Sequence, residues 1–382
     1  MQNAQATSLY VHWPFCVSKC PYCDFNSHVR DTVDQAAWRD ALLSDLAYEA
    51  SLNGGMPLVS IFFGGGTPSL MPPETVAAII DEAAKLWAFA PGIEITLEAN
   101  PSSVEAARFA DLARAGVNRV SLGLQSLDDA SLSFLGRAHS VTEGLDALAV
   151  AQRHFARVNF DLIYALPNQS AAHWEAALQQ ALSYGTDHLS LYQLTIEEGT
   201  RFATMVAQNA FTPVDPDDGA VLFELTAAMT EAAGLPAYET SNHAKAGQES
   251  RHNLTYWRYQ DYLGIGPGAH GRRGGLATVR HKKPENWLAA VTRNGHGSQS
   301  EDRLSADESA REALVMGLRL AEGVRLDRIA ARFGLVVKAL VDGDRVQALE
   351  RLGLVAHEEN LLRVTPPGRL LLDRILAEIV II

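Results

Sequence analysis

The residues best placed to do chemistry lie in one short run, Trp13-Pro14-Phe15-Cys16-Val17-Ser18-Lys19-Cys20-Pro21-Tyr22-Cys23-Asp24-Phe25. Cys16, Cys20 and Cys23 form a Cys-x3-Cys-x2-Cys pattern and are the 3 cysteines of a 382-residue chain, so none is left over for a disulfide. Thiolates this close repel one another and oxidise readily, and a metal centre that takes up their charge is the ordinary reason for such a cluster to persist. A structural zinc would call for a fourth Cys or His, and the nearest, His12 and His28, flank the run at an unusual spacing. Three cysteines without a fourth ligand describe an iron–sulfur cluster that keeps one iron open. The plain alternative, three small buried side chains that happen to be neighbours, leaves unexplained why every cysteine is here.

The elements that must hold this loop follow from hydrophobic period. From residue 8 to about 195, β-type runs alternate with amphipathic helical segments, the pattern of successive βα units and a parallel sheet. Strands are expected over Ser8 to Trp13, Leu58 to Phe63, Glu94 to Ala99, Arg119 to Leu124, Asn159 to Tyr164 and His188 to Leu194. Helices are expected near 33–53, 73–88, 103–115, 141–155 and 170–184. Six such units predict an α/β fold, a partial (β/α)6 barrel, whose chemistry gathers at the C-terminal ends of the strands. The sequence loads that edge: the cysteine loop after the first strand, Gly64-Gly65-Gly66-Thr67-Pro68 after the second, Glu98 at the third, Gln125 and Ser126 at the fourth, Asp161 in the fifth. Glycines there let backbone groups approach a ligand closely; the run lacks the Gly-Lys-Ser/Thr ending of a nucleotide P-loop.

Three parts follow: 1–205 as the barrel, 206–302 as linker and a His- and aromatic-rich ligand-facing region, and 303–382 as a small C-terminal domain. The middle part carries Tyr238-Glu239-Thr240-Ser241-Asn242-His243, His252-Asn253-Leu254-Thr255-Tyr256-Trp257 and a stretch ending in His270, read as irregular loop. A basic hairpin turning at Gly274-Gly275 follows, with Arg272, Arg273, Arg280, Lys282 and Lys283 free to pair with ligand carboxylates. The last part reads as an α+β winged-helix-like domain: helices over Glu308 to Leu320, Leu326 to Phe333 and Val337 to Leu352, a two-stranded turn at 353–364 and a final helix from Pro367. Its third helix mixes Asp342, Asp344 and Glu350 with Lys338, Arg345 and Arg351, so it presents no basic face to DNA. The apolar tail Ile379-Val380-Ile381-Ile382 is expected to dock on the body or on a second subunit.

Composition narrows the class. A hydrophobic share of 47% and a charged share of 20% are those of a globular protein, and no apolar run reaches the ~18 residues of a membrane span. The start, Met1 to Ser8, carries no leader pattern, so a reducing cytoplasm is expected. A formal net charge of −13 speaks against nucleic acid as partner and allows at most peripheral membrane contact.

The cysteine motif, with Tyr22 before its last Cys, is that of radical S-adenosylmethionine proteins, and nearly the whole chain resembles one branch, the oxygen-independent coproporphyrinogen III oxidase-like group. The resemblance rests on Tyr10-Val11-His12-Trp13-Pro14-Phe15-Cys16, Ser121-Leu122-Gly123-Leu124-Gln125-Ser126 and Asp161-Leu162-Ile163-Tyr164-Ala165-Leu166-Pro167. It implies a [4Fe-4S] cluster on Cys16, Cys20 and Cys23. It also implies a pocket for S-adenosylmethionine lined by Tyr10, Tyr22, Gly66, Thr67, Glu98, Gln125, Arg137 and Asp161, with Arg137 added by resemblance alone. Within the group, the oxidase has a further Cys where this chain has Phe25, and the haem chaperone branch is marked by His-Asn-x-x-Tyr-Trp, present as His252 to Trp257. The resemblance therefore implies a haem carrier, with His252, Tyr256 and Trp257 as haem candidates and His243 and His270 as substitutes for the axial ligand. It further implies a haem donor, haem acceptor proteins such as respiratory cytochromes, and a homodimer. The rival reading is an enzyme, either a coproporphyrinogen III dehydrogenase or a radical methyltransferase; in the chaperone, cleavage of S-adenosylmethionine is at most residual.

Overall fold

The computed structural model describes residues 6–53 and 55–382; Met1 to Gln5, where the leader would begin, lie outside the described residues. Six parallel strands stand in sequence order: β1 (Thr7–Trp13), β2 (Leu58–Gly65), β3 (Phe89–Ala99), β4 (Arg119–Gln125), β5 (Arg157–Tyr164) and β6 (His188–Gln193). Helices between them, chiefly α1 (Gln35–Leu52), α2 (Pro73–Leu86), α3 (Val141–His154) and α4 (Ala171–Ser183), cover one face. Several begin on a side-chain cap that the sequence supplies, such as Asp34, which accepts from the Ala37 N–H, and Ser140, which forms a capping box with Glu143.

Strand alternation sets the two faces apart. Leu9, Val11, Ile61, Phe63, Ile95, Leu97, Val120, Leu122, Phe160, Leu162, Leu189 and Leu191 are all buried in the core beneath the helices. Burying each such side chain is worth about 1.5–3 kcal/mol. The intervening residues, Ser8, Ser60, Glu98, Ser121, Asn159, Asp161 and Ser190, are mostly polar and point to the other face. A parallel sheet covered on both sides by apolar layers would read as continuous hydrophobic runs. This alternation instead makes the inside of the curled sheet a polar space, and residues from β1 through β6 line one cavity there.

The region read as linker and loop between 206 and 302 is different from expectation, because it completes the sheet. After α5 (Pro216–Ala232), β7 (Asn242–Ala244) pairs antiparallel with β6, while β8 (Tyr262–Ile265) pairs parallel with β1. The strands β9 (His270–Arg273), β10 (Leu276–Arg280) and β11 (Ser298–Arg303), with helix α7 (Pro284–Asn294) between the last two, then extend that end, giving order β11-β10-β9-β8-β1-β2-β3-β4-β5-β6-β7. These strands are 3 to 6 residues long, too short to show a period; β9 and β10 form the hairpin expected at Gly274-Gly275, while β7 and β8 take partners distant in sequence. Among the described strands β1 and β6 do not meet, so the barrel stays open.

The C-terminal residues build a second core around Leu314, Leu326, Leu340, Val346, Leu362 and Ile375. Helices α8 (Ala306–Gly317), α9 (Leu326–Phe333), α10 (Gly343–Arg351) and α11 (Leu372–Ile379) surround a three-stranded sheet of β12 (Val324–Arg325), β14 (Leu361–Val364) and β13 (Val355–Glu358). The helix expected over Val337 to Leu352 is broken: a 3-10 turn ends at Ala339, and Asp342 starts a new helix by accepting from the N–H groups of Asp344 and Arg345. The apolar tail seats in this same core, with Ile379 fully buried and Val380 bridged to Val341.

Candidate functional site

The cysteine loop leaves β1 at Trp13 and is fastened to the end of β2. Gly66 N–H donates to Trp13 O at 2.7 Å, and Thr67 N–H donates to Phe15 O at 2.9 Å. The fit leaves no space for side chains: a Cβ on Gly66 would stand 2.7 Å from Phe15 O, and one on Gly65, whose φ is +113°, would stand 2.6 Å from the His12 ring. In this structure the glycines thus make room for the loop itself.

Cys16, Cys20 and Cys23 are free and half-buried. Thr67 Oγ1 donates to Cys16 Sγ at 3.4 Å and Arg137 Nη1 donates to Cys20 Sγ at 3.4 Å, while Cys23 Sγ lies 3.8 Å from Ser27 Oγ. Burial pushes the Cys16 thiol up from its usual range, and the Thr67 hydrogen bond works against that rise. Both histidines beside the run have partners elsewhere: His28 Nε2 lies 3.2 Å from Asn26 Oδ1. His12 Nε2 donates to Asn26 O at 2.9 Å, so its Nδ1 accepts from the Tyr10 hydroxyl at 3.0 Å, and burial lowers its pKa to about 4. Three thiols, two of them with hydrogen-bond donors aimed at their sulfurs, and no spare histidine from His12, suit an iron–sulfur cluster better than zinc. Among the described residues no three His, Cys, Asp or Glu side chains close around a single metal ion; a cubane asks for its thiolates at separate corners.

Asn100 was not singled out from the sequence, yet it ties this tier together. Its Nδ2 donates to Thr67 Oγ1 at 3.1 Å and its Oδ1 accepts from Arg137 Nη2 at 2.6 Å, so the two groups that touch cysteine sulfur share one brace. Its own backbone N–H donates to Glu105 at 2.8 Å. The only sequence signal is position, directly after the third strand. Arg137 also donates to Gly123 O at 3.0 Å, and Gln125 closes β4 in a left-handed conformation, φ 68°. Gly123 makes room for both, since a Cβ there would stand 2.8 Å from Gln125 Nε2. Tyr22 packs against Phe202, and burial pushes its hydroxyl far above the usual range.

The remaining predicted residues form a second, inner tier. Tyr10, Glu98 and Asp161 line a cavity of about 380 Å³ inside the curled sheet, together with His252, Tyr256 and Trp257. The eight S-adenosylmethionine candidates are therefore divided: Tyr22, Gly66, Thr67, Gln125 and Arg137 gather at the cysteine loop, while Tyr10, Glu98 and Asp161 lie deeper. Burial, with the Asp161 charge nearby, pushes Glu98 up to about 8, although Gly65 N–H donates to it at 3.2 Å. Burial also raises Asp161, against hydrogen bonds that include Asn159 Nδ2 at 2.8 Å and Ser121 Oγ at 3.3 Å.

The motif His252 to Trp257, expected in loop, is helix α6 (Arg251–Trp257), and it forms the floor of the cavity. Ser250 caps it and Glu94 accepts from the His252 backbone N–H at 3.2 Å. His252 stacks on Phe62, ring centroids 4.8 Å apart, and is 6% exposed. A chain of hydroxyls fixes its tautomer. Thr255 Oγ1 donates to Arg251 O at 2.9 Å and so accepts from Ser8, 2.8 Å away; Ser8 in turn accepts from Ser60 at 2.7 Å. Ser60, its proton spent, accepts from His252 Nδ1 at 3.3 Å. With burial lowering the imidazole pKa to about 4, His252 is neutral and its Nε2 keeps a lone pair. The substitutes lie elsewhere: His243 is buried on β7, and His270 is exposed at the start of β9.

The basic hairpin does not offer its arginines to a ligand. Arg280 is fully buried against Asp45 and Glu49, Arg273 pairs with Glu49 and Glu301, and Arg272 pairs with Glu312. Of the five cations only Lys282 and Lys283 are exposed. The charges that looked available in sequence are the fasteners of the sheet extension to α1 and α8.

An open βα barrel with a three-cysteine loop at the C-terminal end of β1 and a polar interior is the architecture of radical S-adenosylmethionine proteins. The Radical SAM superfamily model matches residues 10–181, and the HemN C-terminal domain model matches residues 304–371. The chain is 38% identical to Heme chaperone HemW of Escherichia coli over 97% of each chain. It is 44% identical to a mitochondrial radical S-adenosyl methionine domain-containing protein 1 of Bos taurus, over 84% of this chain and 75% of the relative. Its fold is that of coproporphyrinogen III oxidase HemN from Escherichia coli, with a TM-score of 0.82, 23% identity, and coverage of 98% of this chain and 89% of that one. The chain belongs to the radical SAM superfamily, in its HemW branch.

Proposed function

We propose that this protein is a cytoplasmic haem chaperone that binds haem and passes it to acceptor proteins, respiratory cytochromes among them. The observation that carries the reading is His252, a neutral imidazole with an unprotonated Nε2 on the floor of a cavity it shares with Tyr256 and Trp257. Haem iron takes such a nitrogen as an axial ligand, and the two rings offer flat surface to a macrocycle. Phe25 adds support: it is 63% exposed where the decarboxylating members carry a further cysteine. The relatives named Heme chaperone HemW point the same way.

Cys16, Cys20 and Cys23 would hold a [4Fe-4S] cluster, with Thr67 and Arg137 donating to its thiolates and Asn100 fixing both donors. Tyr10, Tyr22, Gly66, Thr67, Glu98, Gln125, Arg137 and Asp161 would surround S-adenosylmethionine. When bound, cluster and cofactor supply one-electron chemistry at the sulfonium; in this reading the cluster serves as a redox switch for haem release. No described helix is long and apolar enough to cross a membrane.

The test is anaerobic reconstitution of the cluster, haem titration, and transfer to an apocytochrome. Haem is expected to bind with an imidazole-type spectrum that His252→Ala removes, and to reach the acceptor. Conversion of coproporphyrinogen III to protoporphyrinogen at an enzymatic rate, or methylation of a substrate by S-adenosylmethionine, would overturn the chaperone reading in favour of an enzyme.

A further inference from the structure

On the far side of Trp257 lies a second and larger space, a cleft of about 790 Å³ between the barrel and the C-terminal domain. Small-molecule sites commonly measure about 300–1,000 Å³, and this cleft is twice the size of the inner cavity. One wall is helix α9. Its Leu326 and Ala330 are buried in the C-terminal core, which turns Arg328, Ile329, Arg332 and Phe333 toward the cleft. Trp257 and Met56 form part of the opposite wall.

The charges on this rim differ in availability. Arg258 is held by Glu322 and Arg325 by Asp327, each at 2.8–3.0 Å through two nitrogens. Among the described residues Arg328 and Arg332 have no carboxylate partner, and Arg332 lies over the rings of Tyr259, at 5.4 Å, and Phe333, at 5.1 Å. The side chain is thereby laid along the rim with its guanidinium edge free. Two arginines without a carboxylate partner thus stand one helical turn apart beside an aromatic and aliphatic wall. They suit a flat apolar ligand that carries two carboxylates, because guanidinium and carboxylate match in charge and in hydrogen-bond geometry.

We infer that this cleft is a second tetrapyrrole site, taking the ring face against Trp257 and Phe333 and the two propionates on Arg328 and Arg332, with no iron ligand. The inference rests on the proposed haem-chaperone function and extends it. Trp257 borders both spaces, so the cleft gives the ligand a solvent-facing station outside the His252 cavity from which an acceptor can take it.

The experiment uses full-length protein and metal-free protoporphyrin IX, which cannot coordinate His252. Wild type is expected to bind it, with affinity that falls as salt rises, and the doubly esterified porphyrin is expected to bind about tenfold more weakly or worse. The double variant Arg328→Gln/Arg332→Gln, both exposed positions, should lose affinity by a similar factor. If wild type ignores the metal-free porphyrin, or binds acid, ester and double variant alike, the cleft is not a tetrapyrrole site, and the haem reading at His252 still stands on its own test. If the double variant keeps porphyrin affinity but loses binding to an apocytochrome, the cleft belongs to a protein partner and the inference is overturned.

Discussion

His252 and Thr255, one turn apart on the same helix, are coupled through two strands of the barrel. With the Thr255 hydroxyl donating to the Arg251 carbonyl and Ser60 donating to Ser8, the protons run in one order from Thr255 through Ser8 and Ser60 to His252 Nδ1. Thr255 is not among the residues that line the cavity, yet it helps decide which imidazole nitrogen carries the lone pair. Partners of this kind are worth roughly 10–100-fold in metal affinity. Thr255→Val, which keeps shape and removes the donor, should weaken haem binding at least about tenfold while leaving the fold intact. Haem titration of this variant beside His252→Ala checks it; an affinity equal to wild type would mean that the tautomer is set by something else.

Arg137 reaches the Cys20 sulfur across 117 residues of sequence. A cationic donor at a cluster thiolate favours the state with more negative charge, so it holds the reduction potential up. Arg137→Gln should move the midpoint of the reconstituted cluster to more negative values by on the order of 60 mV, the shift of a tenfold change in a one-electron equilibrium. Asn100→Ala, which frees both Arg137 and Thr67, should shift it in the same direction. Potentiometric titration followed by electron paramagnetic resonance gives the answer, and a midpoint that stays put in both variants would remove the role.

Glu98 makes stability depend on pH in an uncommon direction. Its ordinary value is 4.5 and burial raises it to about 8. Between those values the folded protein keeps a proton that the unfolded chain has released, so stability falls as pH rises from about 4.5 to about 8 and the loss is complete above that. Glu98→Gln preserves an acceptor for Gly65 N–H and abolishes the titration. Denaturant midpoints at pH 5 and pH 8.5 should show the variant gaining on wild type only at the higher pH. A constant difference across that range would count against a raised carboxyl.

Much of this was legible in the sequence, for reasons that differ by element. The six parallel strands each carry a local alternation, and the cysteine spacing is local too, so both could be read without any knowledge of tertiary contacts. Glu98 and Asp161 were found because they fall on the strand edge where such a fold gathers its chemistry. The hairpin of β9 and β10 was read from Gly274-Gly275 because its pairing is local, whereas β7, β8 and β11 were not, because β7 and β8 pair with strands as far away as β6 and β1 and a few residues with glycine and histidine carry no period. His252 looked like loop for the same reason; a seven-residue helix held by Ser250 and Glu94 has little signal of its own. Asn100 was invisible because its importance lies in whom it braces.

The arginines of the hairpin teach the opposite lesson, since a basic stretch in an acidic chain looks like a ligand site until burial is known. Asp45 lies at the centre of the actual arrangement: its carboxylate accepts from Arg280 Nε at 3.2 Å, from Gly266 N–H at 3.2 Å, from Gly297 N–H at 3.1 Å and from Trp287 Nε1 at 3.3 Å. Arg280 also donates to Glu49 at 2.6 Å, and burial hides all three charges from water. Removing one member of such a set leaves a buried charge and several donors without a partner, at about 3–5 kcal/mol. Asp45→Ala should therefore lower the thermal midpoint by several degrees and loosen β8 to β11 from α1, visible as faster amide exchange in those strands. Lys282→Ala with Lys283→Ala, both exposed, should leave the midpoint within a degree or so of wild type. If instead the lysine pair changed stability and Asp45→Ala did not, the hairpin would not be fastened where the geometry puts it. If the lysine pair alone weakened haem binding, more at low salt than at high, ligand steering by this hairpin would return through those two side chains.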